Sequence, residues 1–282
     1  MPHTPAWDPR QYLRHSGPRT RPFHDLLARV PDLPGPGPAR ITDLGCGAGN
    51  ATALLADRWP DALITGLDNS PEMLRAAAAH AGPTGGGGRI SFAAADAAHW
   101  TPDGPLDLII ANALLQWVPD HPASFPAWAG ALTPGGVLAF QVPGNQNAPS
   151  HTLMRRLCDT VRWRTRLAGA ARGPVHVLDP AAYLTLLTDL GLTVDAWETT
   201  YVHVLPGPDP VLDWLKGTGL RPVLTALADE PEEREQFLTE YAALLREAYP
   251  PGPHGTVFPF RRIFVVARKP GGERRSSDHP FA

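Results

Sequence analysis

Asp43-Leu-Gly-Cys-Gly-Ala-Gly49 joins a short apolar run, Ala39 to Leu44, to a stretch with helical spacing, Asn50 to Arg58. Glycines at such a strand-to-helix turn let the backbone bend sharply and lie against a ligand that a Cβ would keep away. Several nucleotide-binding classes share a turn of this kind. Here the third glycine of Gly45-x-Gly47-x-Gly49 falls one position too early for the dinucleotide fingerprint, and an acid, Asp43, precedes the first glycine. A second acid, Asp68, ends the next apolar run 21 positions after Gly47, where a carboxylate accepts hydrogen bonds from ribose hydroxyls. Asp96 ends the run after that. Carboxylates on three consecutive strand ends repel a pyrophosphate and suit a cation that carries a ribose and an amino group.

Outward from this turn, strand and helix signals alternate. Ala62 to Leu67 reads as a buried strand. Asp68-Asn69-Ser70-Pro71 opens a helix running to about Ala81, with Ser70 as N-cap and Pro71 at the first helical position. Gly82-Pro83 stops that helix, and Gly85 to Gly88 reads as a loop. Ile90 to Ala95, Leu106 to Ala111 and Gly136 to Val142 read as further strands, with a helix from Ser124 to Leu132 before the last. This alternation predicts an α/β, doubly wound parallel sheet with right-handed crossovers and both faces covered.

The pattern then shifts. Residues 145–174 read as mostly helical and basic, with Arg155, Arg156, Arg162, Arg164 and Arg166 as a solvated helix face. Pro180 to Leu190 is a helix, Thr193 to Leu205 alternates like a strand, Pro208 to Tyr249 is helical with breaks at Pro222 and Pro231, and Phe258 to Ala267 is a strand. The expected organisation is a substrate-covering arm and helix over 1–38 and a ligand-binding core over 39–145. A helical insertion (146–178), a core helix and strand (179–206), a helical cap (207–257), a final core strand (258–268) and a disordered tail (269–282) follow.

Composition excludes several classes. Hydrophobic residues at 43% of 282 supply a sizeable core, and 27 glycines with 33 prolines fall short of low complexity. A net charge of −3 leaves no electrostatic footprint for nucleic acid or an anionic membrane. Of 25 basic residues only Lys216 and Lys269 are lysines, so anions here meet arginine. Cys46 and Cys158 make neither a disulfide framework nor a zinc spacing. The first residues lack a signal-peptide pattern. The run Leu106 to Val118, broken by Asp107, Asn112 and Gln116, is too short to span a bilayer. A cytoplasmic protein is expected, without metal, nucleic-acid, membrane or obligate protein partners.

The glycine turn, Leu67-Asp-Asn-Ser-Pro-Glu-Met73, Ala95-Asp96 and Leu132-Thr-Pro-Gly-Gly136 resemble the successive motifs of the Rossmann-like methyltransferases. The resemblance implies S-adenosylmethionine as cofactor and S-adenosylhomocysteine as its product. It places Asp43, Gly45 and Gly47 along the methionine part, Asp68 on the ribose, Met73 on the adenine and Asp96 at the adenine amino group. Asn112, Ala113 and Leu115 would flank the sulfonium. Cys46, Asn69 and Ala97 would also line the cofactor, Cys46 as a small buried residue.

After the fourth strand the chain reads Asn112-Ala-Leu-Leu-Gln-Trp117, without the Asn/Asp-Pro-Pro-Tyr of enzymes that methylate exocyclic amines. Ala111 to His121 instead resembles small-molecule methyltransferases. A closer resemblance, over about residues 7–267, is to the trans-aconitate methyltransferase family. It rests on Trp7-Asp-Pro-Arg-Gln-Tyr12, Arg19-Thr-Arg-Pro22, Asp25 to Val30, Trp197-Glu-Thr-Thr-Tyr-Val-His203, Asp213-Trp214, Thr218-Gly-Leu-Arg-Pro222 and Phe260-Arg-Arg-Ile-Phe264, and is weakest over 147–174.

This resemblance implies a tricarboxylate substrate, one carboxylate of which becomes a methyl ester. A carboxylate is already ionised at neutral pH, so its attack needs alignment and exclusion of water rather than a general base. Arginine grips the remaining carboxylates bidentately. Arg19, Arg21, Arg221 and Arg262 are the candidate clamps, with Tyr12, Gln116, Trp117, Tyr201 and His203 beside them. Tyr12, His176 and His203 are the candidates for any catalytic hydrogen bond. Neighbours on a strand point to opposite faces, so only one of Arg261 and Arg262 faces the site, and Arg262 is preferred. Trp117 and Trp214 read first as packing residues. The alternative is a related O-methyltransferase for another carboxylic acid or a natural-product phenol, the phenol requiring a histidine base and fewer arginines.

Overall fold

Nine strands of the described residues form one sheet: β1 (Arg40–Leu44), β2 (Leu63–Asp68), β3 (Gly82–Pro83), β4 (Arg89–Ala94), β5 (Leu106–Asn112), β6 (Leu132–Pro143), β7 (Thr193–Leu205), β8 (Pro251–Gly252) and β9 (Gly255–Arg268). The computed structural model describes residues 16–167, 169–170 and 177–271, with side chains from residue 20 onward. The strand order is β3-β4-β2-β1-β5-β6-β9-β7, with β8 paired to β9. The strands β4, β2, β1, β5 and β6 are parallel. The order reverses between β1 and β5, the switch point where an open α/β sheet leaves a crevice at the carboxyl ends of its strands. Register sets Leu44 beside Leu67 and Ala111, and Asn112 beside Gln141, so the ends of β2, β1, β5 and β6 form one row along that crevice.

β9 inserts between β6 and β7 and runs antiparallel to both. β7 and β9 pair from Thr193↔Arg268 to Leu205↔Thr256, well past the end of β6 at Pro143. The sheet is therefore mostly parallel with an antiparallel edge.

Helices cover both faces. Phe125 and Trp128 of α4 (Phe125–Ala131) and Tyr183 and Leu187 of α6 (Pro180–Asp189) pack on Ile109, Phe140 and Val265. On the other face, Phe23 and Leu26 of α1 (Ser16–Leu27) and Leu55 of α2 (Asn50–Arg58) meet Ile41, Ile110 and Phe264. α3 (Pro71–Ala77) follows β2. A third core joins α5 (Pro149–Cys158) to α7 (Pro210–Lys216), α8 (Arg221–Ala226) and α9 (Pro231–Ala248) around Leu205, Phe258 and Phe260, at the overhanging ends of β7 and β9. The two helical segments read as separate insertions thus share one core.

Several local expectations shift. Gly82-Pro83 is a two-residue strand on β4 as well as a stop signal. β4 ends at Ala94 rather than Ala95, and β6 starts at Leu132 rather than Gly136 because Leu132 already pairs with Leu106. Among the described residues of 145–174 only Pro149–Cys158 is helix, with turns following it. The basic run is partly tied down: Arg162 and Arg166 pair with Glu233 and Glu230 of α9. Lys269, read as the start of a disordered tail, donates from Nζ to the carbonyl oxygens of Ala129, Gly130 and Leu132 at the end of α4, where a cation complements the helix dipole. Beyond Gly271 that tail lies outside the described residues.

Phe140 is fully buried, 5.7 Å from the Phe125 ring and 5.0 Å from Tyr183. Phe140→Ala should therefore destabilise the protein by about 3–5 kcal/mol, read from urea unfolding midpoints with an unchanged slope.

Candidate active site

The glycine turn is fixed by the end of β2. Gly45 N and Cys46 N both donate to the Leu67 carbonyl, at 2.7 and 3.0 Å, and Gly47 N donates to Asp68 Oδ2 at 2.9 Å. These bonds bend the chain through positive φ at Gly45 (69°), Gly47 (55°) and Gly49 (82°), a region glycine enters without steric cost. A Cβ on Gly45 would lie 2.7 Å from Leu114 Cδ1, whereas a Cβ on Gly47 would point into open space. That space beside Gly47 is a cradle into which a ligand fits closely and a side chain would intrude. The other oxygen of Asp68 accepts from Ser70 N at 2.8 Å, and Ser70 Oγ caps α3 by accepting from Met73 N at 3.3 Å. Asp96 accepts from Ala98 N and His99 Nδ1, and the backbone bond from Ala98 is the largest influence holding its carboxyl below the usual range.

Two of the residues expected along the cofactor are almost wholly buried. Asp43 lies beneath the turn, 1% exposed, accepting from Thr52 Oγ1 at 2.6 Å. Its partner Thr52 lies in the first turn of α2, directly after the glycine turn. Leu115 is fully buried in the core between β5 and α4, and the neighbouring half-buried Leu114 is the residue that meets Gly45. Cys46 is buried, and burial pushes its thiol up. Met73 and Ala97 are buried, and Asn69 is exposed.

Across the switch point, Asn112 ends β5 and Ala113 follows with a positive φ of 55°. Such a backbone is strained for a residue with a Cβ. Ala113 N donates to the Gln141 carbonyl at 2.9 Å, and Gln116 Nε2 donates to Ala113 O at 2.6 Å. Gln116 Oε1 is buried with no hydrogen-bond partner among the described residues. A buried oxygen without a donor suits a site completed by a ligand. Trp117, read as packing, is 37% exposed at this end of the sheet.

The neighbouring arginines separate as strand alternation requires. Arg261 is held by Glu198 (2.9 Å from Nε) and Asp179, so its charge is already balanced. Arg262 is buried, lies over the Phe260 ring at 4.8 Å and donates from Nη1 to Gln141 Oε1 at 3.1 Å. Arg21 stands over the Tyr201 ring at 5.1 Å, and the Tyr201 hydroxyl donates to Asp25 at 2.5 Å. Burial and Asp25 push the Tyr201 phenol well up, so it stays protonated and is committed to that carboxylate. His203 stacks near Tyr201 and lies 4.9 Å from Trp214, itself fully buried. Arg221 opens α8, half-buried. Tyr12, His176 and the side chain of Arg19 lie outside the described residues.

Two residues here went unremarked in the sequence, Thr52 under the turn and Gln141 within the apolar run of β6, and Asp25 on α1 was named only as part of a resemblance, with no role. His151, on the first turn of α5, also went unremarked; burial, with Arg155 nearby, pushes it down to about 4, leaving it neutral at pH 7. The visible signal for Gln141 was a polar residue inside a buried strand, which must have partners.

Residues 41–136 match a methyltransferase domain. The chain is 64% identical to the trans-aconitate 2-methyltransferase of Streptomyces coelicolor over 96% of its own length and 90% of that protein. It is also 64% identical to the Streptomyces avermitilis enzyme of the same name, over 94% and 97%. A putative methyltransferase from Bacillus halodurans has the same fold, with a TM-score of 0.54 at 16% identity over 88% of this chain and 98% of that one. The fold and the strand-end crevice are those of a Rossmann-like, S-adenosylmethionine-dependent methyltransferase. Within that class, the chain belongs to the trans-aconitate 2-methyltransferase family.

Burial, opposed by the Thr52 hydrogen bond and reinforced by Asp68, raises the Asp43 carboxyl from 3.8 to about 7. Between these values the folded state keeps a proton that the unfolded state releases, so stability falls as pH rises through that window. Relative to Asp43→Asn, the wild type should lose unfolding free energy from about pH 4 to pH 7 and run parallel to it above. Urea titrations across that range check the sign.

Proposed function

We propose that the chain transfers the methyl group of S-adenosylmethionine to a carboxylate of trans-aconitate, giving a monomethyl ester and S-adenosylhomocysteine. The relatives above carry that activity in their names. The observation that carries the reading in this chain is Arg262: a guanidinium brought into the buried end of the sheet, where its charge persists. A neutral or cationic substrate gives no reason for it there.

When bound, the cofactor supplies an electrophilic methyl on a sulfonium. Gly45 and Gly47 let the backbone approach it, Asp68 takes the ribose hydroxyls, and Met73, Asp96 and Ala97 surround the adenine. Asn112 and Ala113 stand at the sulfonium end, and Gln116 Oε1 is an acceptor awaiting a donor. On the acid's side, Arg262 and Arg21 hold the carboxylates that do not react, with Arg221, His203, Trp117 and, from the resemblance, Tyr12 and Arg19 around them. No residue has to remove a proton, since the nucleophile is already an anion. A Tyr201 phenol bound to Asp25 and a neutral His151 of low basicity fit that requirement.

Incubation with labelled S-adenosylmethionine and trans-aconitate should give an alkali-labile product; an alkali-stable product, or none, overturns the reading. Arg262→Lys keeps charge but loses the planar fork. Turnover of the tricarboxylate should fall about 10²-fold through misalignment, with cofactor affinity unchanged. Equal losses for a monocarboxylate would make Arg262 structural. Asp68→Ala should weaken cofactor binding by about 1.5–3 kcal/mol in calorimetry, while the protein stays folded.

A further inference from the structure

Gln141 is 1% exposed on β6, between Phe140 and Val142. A buried primary amide is costly unless its donors and acceptor are engaged. Its Oε1 accepts from Arg262 Nη1 at 3.1 Å, and its Nε2 donates to Asn112 Oδ1. These bonds link β9, β6 and β5 and join the residue proposed to grip substrate to the residue proposed to stand at the sulfonium.

The chemistry at one end sets the direction of the whole relay. A guanidinium has only donors, so the atom of Gln141 that faces Arg262 is its oxygen. The NH2 of Gln141 then faces Asn112 and has only donors to offer, so Asn112 must answer with Oδ1. That leaves the NH2 of Asn112 on the side away from Gln141. Asn112 itself is half-buried, at the carboxyl end of β5 where the crevice opens.

We infer that Gln141 is a positioning and specificity-determining residue: it passes the donor-only character of Arg262 through two amides, so that Asn112 presents N–H groups to the methyl acceptor. This rests on the reading given under Proposed function and adds the basis of its selectivity. An ionised carboxylate has only acceptors and is matched by those N–H groups. An amine, which must place its own N–H against an acceptor, is not.

Gln141→Glu keeps the shape and gives Arg262 a carboxylate. Its second oxygen can only accept, so Asn112 must turn its NH2 inward and its oxygen toward the crevice. Asn112→Asp reaches the same end without touching the buried position: one oxygen still accepts from Gln141 and the other faces the site. Both variants should lose about 10²-fold in kcat for the acid, while the melting temperature stays near that of the wild type. A purely structural Gln141 predicts instead a changed melting temperature with kcat intact in folded Q141E. Wild-type kcat in folded Q141E, or in N112D, overturns the inference; if Q141E fails to fold, amide exchange carries the test. Amide exchange by NMR reads the relay without any substrate. The Gln141 side-chain protons should exchange slowly in the wild type and in N112D, and fast exchange in the wild type overturns the relay. A wild type that methylates no carboxylic acid overturns the substrate reading alone, and amide exchange then still decides the relay.

Discussion

Asp68 accepts the backbone N–H of Gly47 on one carboxylate oxygen and that of Ser70 on the other. The turn after β1 and the turn after β2 are therefore built on one side chain, and neither can move without the other. With Leu67 O taking Gly45 N and Cys46 N, the end of β2 accounts for the first donors of the glycine turn. The positive φ angles follow from those bonds, and the absence of side chains at 45, 47 and 49 follows from the angles. The same closure seals Asp43 from water, which is why a carboxylate at the foot of the turn holds its proton toward neutral pH.

On the far side of the switch point, side-chain amides do the work that carboxylates do on the near side. Gln141 holds Ala113 through its backbone oxygen and reaches Asn112 and Arg262 through its side chain, so β5, β6 and β9 are joined in one connected layer. The positive φ at Ala113 persists because both its N–H and its carbonyl are bound, by Gln141 and by Gln116. Arg261 and Arg262 show how strand alternation sorts two identical residues. One is neutralised by Glu198 and Asp179 beside solvent, and the other is carried inward over Phe260.

Local patterns in the sequence specify what depends on few residues. The glycine turn, the Ser70–Pro71 helix start and strand β7 from Thr193 to Leu205 are set by backbone geometry, capping and alternation, and all three were legible. The inward turn of Arg262 followed from the same alternation. Features that depend on register between distant segments were not legible. Nothing in Phe258–Ala267 says that it slots between β6 and β7, or that its overhang with β7 forms the floor on which α5 and α7–α9 pack. The depth of Asp43 was not legible, because a motif gives the position of a residue in the chain but not how far a turn buries it. Gln141 was passed over because hydrophobic runs are read for their apolar members, while its partners lie 29 and 121 positions away.

The β7–β9 pair ties the two halves of the crevice together. Its inner face carries Tyr201, which holds α1 through Asp25, and Arg262, which reaches β6 through Gln141. Its overhang packs against the helical cap through Phe258, Phe260 and the Trp214–His203 contact. Acids therefore stand at the end of β2 and just beyond β4, while amide donors stand near the ends of β5 and β6 and the arginine on β9 is level with the end of β6. With the acids on one side of the switch point and the arginine on the other, the strand ends carry a gradient of charge. On the function proposed, a cation over the acids and an anion held by the arginine would meet between β1 and β5 already oriented. For a methyl transfer whose nucleophile needs no deprotonation, that alignment is the main thing the protein has to supply.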